Sequence, residues 1–544
     1  MTASSLENEA SAAPGLLPAQ DASPLRLSFA RVLPARAHDA LVLAWVAAFH
    51  HVLGVKYRFA QIAYDEHYFL FEGWALLKGQ IPYRDFQEFK PPVIFFVNAL
   101  GLQLFGLDGL GYRQLLAFLS LASFLALTLA LLSRGVNRWL VVGVLMLMID
   151  HFYDDGLHNT VINDAETLAL DFFMLGVGVL SMRTKWERTQ LVLGGVLLSL
   201  SPLSKEPMAF PVLAAWATLL LLRRIESRAG AGESSGGAAA WRFAAFTIVG
   251  VGGVLAAWLV YMLATDSLDW YILQLKLSMA YTENYAHQLR WAPRPSKYGV
   301  FAESLWRLAK RYVNPVHLTV FVPFFVALVT RHNRRRAAGM GALATFAASL
   351  YAVSIGQGFA SRYFIMAMAG TFFCVLLGAI SLDEYAKRLR PSLGPWVGPA
   401  WFVIALLMTG SRSIHELGKY ASYAVPPPPV LQSDIDFVRA NTSPGDTIWT
   451  TDDPLLYVYS DRESAFRGGI VLDEIIEYYP GNTDAERLAV VREGLEAKRP
   501  KLVIFGNTMV GARRKVRYTD ALVMPFLRDE GYVRLDDRFY ARSD

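Results

Sequence analysis

Ionisable and aromatic side chains are concentrated in one short segment, YDEHYFLFEGWALLKGQIPYRDFQEFKPP, which runs from Tyr64 to Pro92. Charged groups beside long apolar segments are costly, so a cluster of them is a candidate functional site. A carboxylate such as Asp65 could take a proton from an attacking hydroxyl group, and a cation such as Lys90 could stabilise an anionic leaving group. Each residue alone also has a structural interpretation, because Asp65 could cap a helix and Lys90 could extend towards lipid headgroups.

The composition is typical of a membrane protein. Of the 544 residues, 54% are hydrophobic and 18% are charged, and the mean hydropathy is +0.30. A soluble protein of this length needs more charge to keep its surface wetted, and the apolar residues here form runs of roughly 16–23, the length at which a helix crosses a bilayer. The net charge of +5 reflects local Lys and Arg clusters and gives no reason to expect nucleic-acid binding. The single cysteine, Cys374, excludes a disulfide framework and a cysteine-based metal site.

About eleven apolar segments are predicted to span the membrane. They are residues 39–55, 113–133, 139–153, 165–182, 189–204, 207–222, 243–264, 315–330, 338–353, 363–382 and 395–411. Alternate connections between them carry the basic clusters Arg134 and Arg138; Arg183, Lys185 and Arg188; Arg223, Arg224 and Arg228; Arg331, Arg334, Arg335 and Arg336; and Lys387, Arg388 and Arg390. The positive-inside rule places these clusters in the cytoplasm, with the N-terminus inside and the C-terminus outside. The short apolar segment 91–106 is predicted to be an interfacial or re-entrant helix on the outer face, because a crossing there would move every later cluster to the wrong side.

Four regions follow from this topology. Residues 1–38 are a predicted disordered cytoplasmic tail, and residues 39–411 are a transmembrane domain whose long outer loop covers 56–112. A linker at 412–430 leads to an α/β domain at 431–544, outside the membrane. In this last region the predicted elements are helices at 431–440 and 484–498 and strands at 447–451, 502–506 and 533–541. The fold class is therefore an all-α polytopic membrane protein with a small C-terminal α/β domain.

The outer loop resembles the GT-C superfamily of membrane glycosyltransferases, and within it the branch of the dolichyl-phosphate-mannose protein mannosyltransferases and the aminoarabinose lipid A transferases. That branch carries, in order, an acidic pair, an aromatic juxtamembrane helix, a G-x-x-P-Y-x-D/E turn and a K-P-P sequence. These correspond to Asp65–Glu66, Tyr68 to Leu77, Gly79 to Asp85, and Lys90-Pro91-Pro92. Further on, Asp164 resembles the family's second outer acidic site. The segment from Gly194 to Pro207, with Lys205 near its end, resembles the family's glycine-rich span, and Arg362–Tyr363 resembles a late Arg-Tyr on the outer side.

The resemblance implies a GT-C-like fold and the transfer of a sugar from a polyprenyl-phosphate donor, with inversion at the anomeric carbon. It implies Asp65 as the base, with Glu66 and Asp164 as further catalytic residues. The residues implied in donor phosphate binding are Lys90, Lys205, Arg362 and Tyr363. Those implied in orienting the substrate are Tyr83, Asp85, Glu88 and Glu166. A divalent cation held by Asp65, Glu88 and Asp164 is an open alternative, since some relatives use a metal and others do not.

Other functions compete with this interpretation. A transporter or lipid flippase needs ionisable residues at mid-membrane depth or broken helices in matching halves, whereas the charges here gather at one rim. A non-enzymatic envelope assembly subunit predicts that Asp65→Asn has no effect. An O-antigen ligase-like enzyme relies on a large outer loop rich in Arg and His, which residues 265–314 only faintly resemble. The predicted location is a bacterial inner membrane with the C-terminal domain in the periplasm, and the predicted acceptor is a lipid, a glycan or a protein.

Overall fold

The computed structural model describes residues 35–59, 64–153, 162–231, 233–288, 306, 333–355, 361–388, 392–423, 431–451, 453–466, 483–504, 524–536 and 538–543. The predicted span at 315–330 lies outside this part of the chain. So does most of the predicted tail at 1–38, although its last residues, from Ala35, already belong to the first helix.

The membrane part of the chain is helical. Its helices are α1 (Ala35–Arg58), α2 (Tyr64–Leu77), α3 (Val93–Phe105), α4 (Arg113–Ser133), α5 (Arg138–Phe152), α6 (Ala165–Ser181), α7 (Glu187–Leu200), α8 (Ala209–Ala231), α9 (Glu233–Ala264), α10 (Leu268–Gln288), α11 (Asn333–Ile355), α12 (Ala367–Ala386) and α13 (Val397–Tyr423). Short 3-10 turns lead into α4, α8, α12 and α13.

Within the described residues, seven helices are long and apolar enough to cross a membrane, namely α1, α4, α8, α9, α11, α12 and α13. Three other predicted spans correspond to helices that are shorter than these seven, since α5, α6 and α7 contain 15, 17 and 14 residues. Helix α3 has 13 residues; at 1.5 Å per residue it reaches about 20 Å, less than a hydrocarbon core of about 30 Å. Its length agrees with the interfacial helix predicted at 91–106.

Helix α12 lies at the centre of the bundle. Every residue from Ala367 to Ala379 is buried, and the helix packs against α5, α6 and α11. A helix that is apolar on all sides is expected where other helices surround it. Nearer the edge, α7 and α9 approach closely because Gly195 faces the Thr247 carbonyl, with which a Cβ at this position would collide.

In its described residues, the C-terminal domain consists of a five-stranded sheet with flanking helices. Its elements are α14 (Gln432–Asn441), β1 (Thr447–Thr450), α15 (Leu455–Ser460), β2 (Glu463–Ser464), α16 (Asp484–Lys498), β3 (Leu502–Ile504), β4 (Tyr532–Arg534) and β5 (Phe539–Arg542). The strand order is β2-β1-β3-β5-β4, with β1 parallel to β2 and β3 and with β5 antiparallel to β3 and β4. β1 and β3 lie within the predicted strands at 447–451 and 502–506, of which residues 505 and 506 lie outside the described part of the chain. The single strand predicted at 533–541 was wrong, because the chain turns back there and forms the β4–β5 hairpin.

The C-terminal domain rests on α2. The rings of Phe71 and Tyr457 lie 5.2 Å apart, and both side chains belong to one hydrophobic cluster that joins α2 and α3 to the sheet domain. His67 Nδ1 lies 2.7 Å from a carboxylate oxygen of Asp453, just before α15. The sheet domain therefore packs against α2, the helix that carries the acidic pair.

Candidate functional site at the acidic end of the bundle

A buried ion pair fixes the start of α2. Arg113 Nε lies 2.6 Å from Glu66 Oε1, and Arg113 Nη2 lies 2.5 Å from Glu66 Oε2. The Tyr112 hydroxyl donates a third hydrogen bond to the same carboxylate, at 2.8 Å. The two charged side chains are only 2% and 0% exposed, so this two-pronged contact holds the carboxylate in one orientation. The ion pair fixes the start of α2 against the start of α4. It thereby also fixes the backbone position of the neighbouring Asp65, which is half-buried.

Glu72 is a further acidic residue of this site, and it is not among the residues predicted from the sequence. It is buried, and its carboxyl lies within hydrogen-bonding reach of Glu88. Burial, followed by the neighbouring Glu88, raises the pKa of Glu72 well above its usual range; Asp65 adds to the rise and Lys90 opposes it. A raised pKa favours the protonated, neutral form of the Glu72 carboxyl group. Its position seven residues after Asp65, on the same helix face, could have indicated it.

The turn between α2 and α3 is built by its own side chains. The Asp85 carboxylate accepts a hydrogen bond from the Ile81 N–H at 2.8 Å and pairs with Arg84 at 2.8 Å. Tyr83 is buried, has a φ of 65°, and donates from its hydroxyl to the Lys90 carbonyl at 2.9 Å. Both residues thus direct the chain towards Lys90. The role in orienting the substrate that was assigned to them stays a prediction.

Glu88 folds back onto the chain that precedes α3. Its Oε1 accepts hydrogen bonds from the N–H groups of Phe89, at 2.6 Å, and Lys90, at 3.1 Å. The Lys90 ammonium lies within electrostatic range of both Glu72 and Glu166. Lys90 therefore stands between the acidic residues of α2 and those of α6.

On the α6 side, Lys205 and Glu166 form a second buried ion pair. Lys205 Nζ lies 2.6 Å from Glu166 Oε1 and 5.1 Å from the ring centroid of Tyr363. Asp164 precedes α6 in an extended conformation and lies against Glu166. Arg362 belongs to the 3-10 turn Ser361–Met366 in the same region, and the structure describes only its backbone.

Two sets of contacts draw these distant segments together. Asn98 of α3 and Asn163 exchange side-chain amide hydrogen bonds of 3.0 and 2.8 Å, which position the loop immediately before Asp164. The Val93 N–H donates to the Leu203 carbonyl at 3.2 Å, which joins the start of α3 to the loop before Lys205. The acidic and basic side chains of α2, the α2–α3 loop, α6 and the loop before α8 consequently meet at one end of the bundle.

The described part of the chain contains no group of three His, Cys, Asp or Glu side chains arranged as ligands of one metal ion. Asp65, Glu88 and Asp164 therefore do not form a ready-made cation site, and Glu88 Oε1 is already engaged by two backbone N–H groups. Among the described side chains of this site, Arg113 and Arg84 are paired with Glu66 and Asp85, and further positive charges are those of Lys90 and Lys205.

No protein-family model matches the sequence, and comparison with curated proteins gives no match. Several solved structures are similar to this chain, and two of them have TM-scores of 0.50 and 0.53. One is the archaeal oligosaccharyltransferase AglB from Archaeoglobus fulgidus in complex with an inhibitory peptide and a dolichol-phosphate, at 13% identity and a TM-score of 0.50, over 94% of this chain and 74% of that chain. The other is ArnT from Cupriavidus metallidurans bound to undecaprenyl phosphate, at 13% identity and a TM-score of 0.53, over 94% of this chain and 98% of that chain. The predicted fold, a polytopic helical membrane protein with a small C-terminal α/β domain, is confirmed, and AglB and ArnT share it.

Proposed function

We propose that the protein is a glycosyltransferase that moves a sugar from a polyprenyl-phosphate donor to a lipid, glycan or protein acceptor outside the cytoplasm. The main observation in support is that buried carboxyl groups lie close to Lys90 and Lys205 at one end of the bundle. The reaction needs both kinds of group, because a hydroxyl must lose a proton while a phosphate leaves. The shared fold adds support, since ArnT was solved with undecaprenyl phosphate and AglB with a dolichol-phosphate.

In the proposed reaction Asp65 is the base. The oxygen of the acceptor hydroxyl attacks the anomeric carbon, its proton passes to the Asp65 carboxylate, and the bond from that carbon to the phosphate oxygen breaks with inversion. The bonding electron pair remains on the polyprenyl phosphate. Lys90 and Lys205 stabilise the negative charge that develops on the phosphate, and Arg362 and Tyr363 complete the phosphate-binding site.

The remaining acidic residues hold the reacting groups in place. Glu66 acts through Arg113, so within this scheme we assign it a positioning role for Asp65. Asp164 and Glu166 orient the sugar or the acceptor, and Glu166 also aims the Lys205 ammonium through their ion pair. Glu88 sets the backbone at Lys90. In the proposed location, a bacterial inner membrane, this end of the bundle and the C-terminal domain face the periplasm.

The decisive experiment compares Asp65→Asn with the unchanged protein. Purified full-length protein is incubated with a radiolabelled polyprenyl-phosphate sugar and a panel of acceptors, and labelled product is counted. Loss of a general base lowers the rate by about 10²–10⁴-fold. The matched control is Asp108→Asn, which removes an exposed carboxylate just before α4, at the same end of the bundle. Undiminished transfer by Asp65→Asn would reject the assigned base and favour an assembly subunit.

Donor binding is tested at Lys90. Lys90→Ala is expected to raise the donor KM with little change in the melting temperature. The fold is kept because the contacts of the Lys90 backbone with Glu88 and Tyr83 do not depend on the lysine side chain. The control is Lys276→Ala, an exposed lysine on α10. An unchanged donor KM would count against a role for Lys90 in phosphate binding.

A further inference from the structure

A cavity lies at the opposite end of the bundle from the acidic site. It has a volume of about 50 Å³ and is lined by residues at the ends of α4, α6, α8, α11 and α12. Arg113 and Glu166 stand near the first residues of α4 and α6, whereas Arg134 and Ser181 of this cavity stand at their last turns. With 21 residues in α4 and 1.5 Å per residue, the two sites are separated by about 30 Å.

The two arginines of the cavity are partly buried and only loosely paired. Arg134 donates from Nε to the Ser181 carbonyl at 2.7 Å, while its contact with Glu226 is 3.5 Å long. Arg223 has contacts of 3.4 Å to the Leu180 carbonyl and 3.9 Å to Glu187. The arginine side chains are 11% and 22% exposed. Partly buried guanidinium groups whose N–H donors are not all engaged favour an anionic ligand with several oxygen acceptors.

Ser181 supplies an independent sign of a ligand. Its side chain is 1% exposed, yet its hydroxyl has no hydrogen-bond partner among the described residues. Buried hydroxyl groups are normally hydrogen-bonded. Because Ser181 lines the cavity beside Arg134, a ligand oxygen there would satisfy it.

The rest of the lining indicates an amphiphile. Glu226 and Glu384 add carboxylates beside the arginines, while Leu219 and Leu377 belong to an aliphatic wall. The cavity also lies where membrane spans end, at the level of lipid headgroups. We propose that it binds the headgroup of a zwitterionic phospholipid, with the phosphate on Arg134, Arg223 and the Ser181 hydroxyl and the ammonium group on the two glutamates.

The test uses purified, delipidated full-length protein titrated with phosphatidylethanolamine, phosphatidylglycerol or inorganic phosphate, and follows bound lipid by native mass spectrometry. We expect phosphatidylethanolamine to bind more tightly than phosphatidylglycerol. Arg134→Gln should weaken its binding about tenfold, as loss of a charge-assisted contact does. Ala338→Leu should also weaken it, by filling the cavity without removing a charge. The control Arg188→Gln removes an exposed arginine at the same end of the bundle that does not line the cavity.

Three results would overturn the proposal. They are equal or tighter binding of phosphatidylglycerol, full competition by inorganic phosphate alone, and lipid binding that neither Arg134→Gln nor Ala338→Leu weakens. Because Arg134→Gln also removes a link between α4 and α6, Ala338→Leu keeps the test informative if that variant fails to fold.

Discussion

The Glu66–Arg113 pair offers a quantitative test of how the acidic end of the bundle is held. We expect Arg113→Gln to lower both the free energy of unfolding and the transfer rate, although Arg113 does not touch the reacting atoms in the proposed scheme. The variant leaves a buried carboxylate facing a neutral amide. It also removes the contact from Arg113 Nη1 to the Arg58 carbonyl, at 2.9 Å, which ties α4 to the end of α1.

The magnitude follows from burial and geometry. Both contacts between the two side chains are short, and neither side chain is more than 2% exposed. Removing one partner of such a pair costs about 3–5 kcal/mol, because the charge left behind stays out of water. The double variant Glu66→Gln/Arg113→Gln removes both charges, so it should lose less stability than the sum of the single variants. The expected coupling energy is about 2–3 kcal/mol, within the range of residues that share one buried network.

The assay is a double-mutant cycle on purified protein, with unfolding free energies from denaturant titration and transfer rates measured in parallel. The surface pair Arg492–Glu496 is a suitable control cycle, since it is an exposed contact within α16 and such pairs contribute about 0.3–0.5 kcal/mol. Single-variant losses below about 1 kcal/mol, or additive effects in the Glu66–Arg113 cycle, would refute the idea that this pair locks α2.

Three further predictions concern α2, the sheet domain and the helix bundle. Because the pKa of Glu72 is raised in the folded protein above its ordinary value of 4.5, the folded state holds a proton that the unfolded chain has lost. Stability should therefore fall as pH rises above that value, by up to about 1.4 kcal/mol per pH unit, and Glu72→Gln should flatten this slope in pH-dependent unfolding. Asp453→Asn should weaken the link to His67, so that hydrogen exchange at the start of α2 becomes faster; unchanged exchange would contradict the seating of the domain on α2. Gly195→Val should lower the melting temperature, since overpacking costs about 1–3 kcal/mol and the collision is with the backbone of Thr247.

Much of this end of the bundle could be predicted from the sequence because charge patterning fixes which loops share a side of the membrane. The positive-inside rule placed Lys90, Asp164, Lys205 and Tyr363 on one face, and the structure brings these residues together. Side-chain pairing could not be predicted in this way. Arg113 opens a predicted span, and its partner Glu66 lies 47 residues earlier, a separation that no helical or strand periodicity encodes.

The surroundings of each apolar helix could also not be predicted from the sequence pattern, for a physical reason. The α5 segment was predicted as a span because it is apolar, yet it contains 15 residues, of which every one from Leu140 to Phe152 is buried. A helix enclosed by other helices does not have to match the thickness of the hydrocarbon core, since neighbouring side chains cover it instead of lipid. Hydropathy indicates that such a segment is removed from water, but it does not distinguish a segment surrounded by lipid from one surrounded by other helices.

The charge balance of the acidic end gives Arg362 its place in the proposed reaction. Because its pKa is raised, the buried Glu72 carboxyl group favours its neutral form and adds no negative charge here. The ion pair between Lys205 and Glu166 is neutral as a unit, which leaves Lys90 as the described cation opposite Asp65 and Asp164. A phosphate that gains negative charge as the sugar departs would then face an excess of carboxylates. A further cation that stays with the protein removes this repulsion. Arg362 can supply it, because its backbone precedes Tyr363, whose ring lies against Lys205.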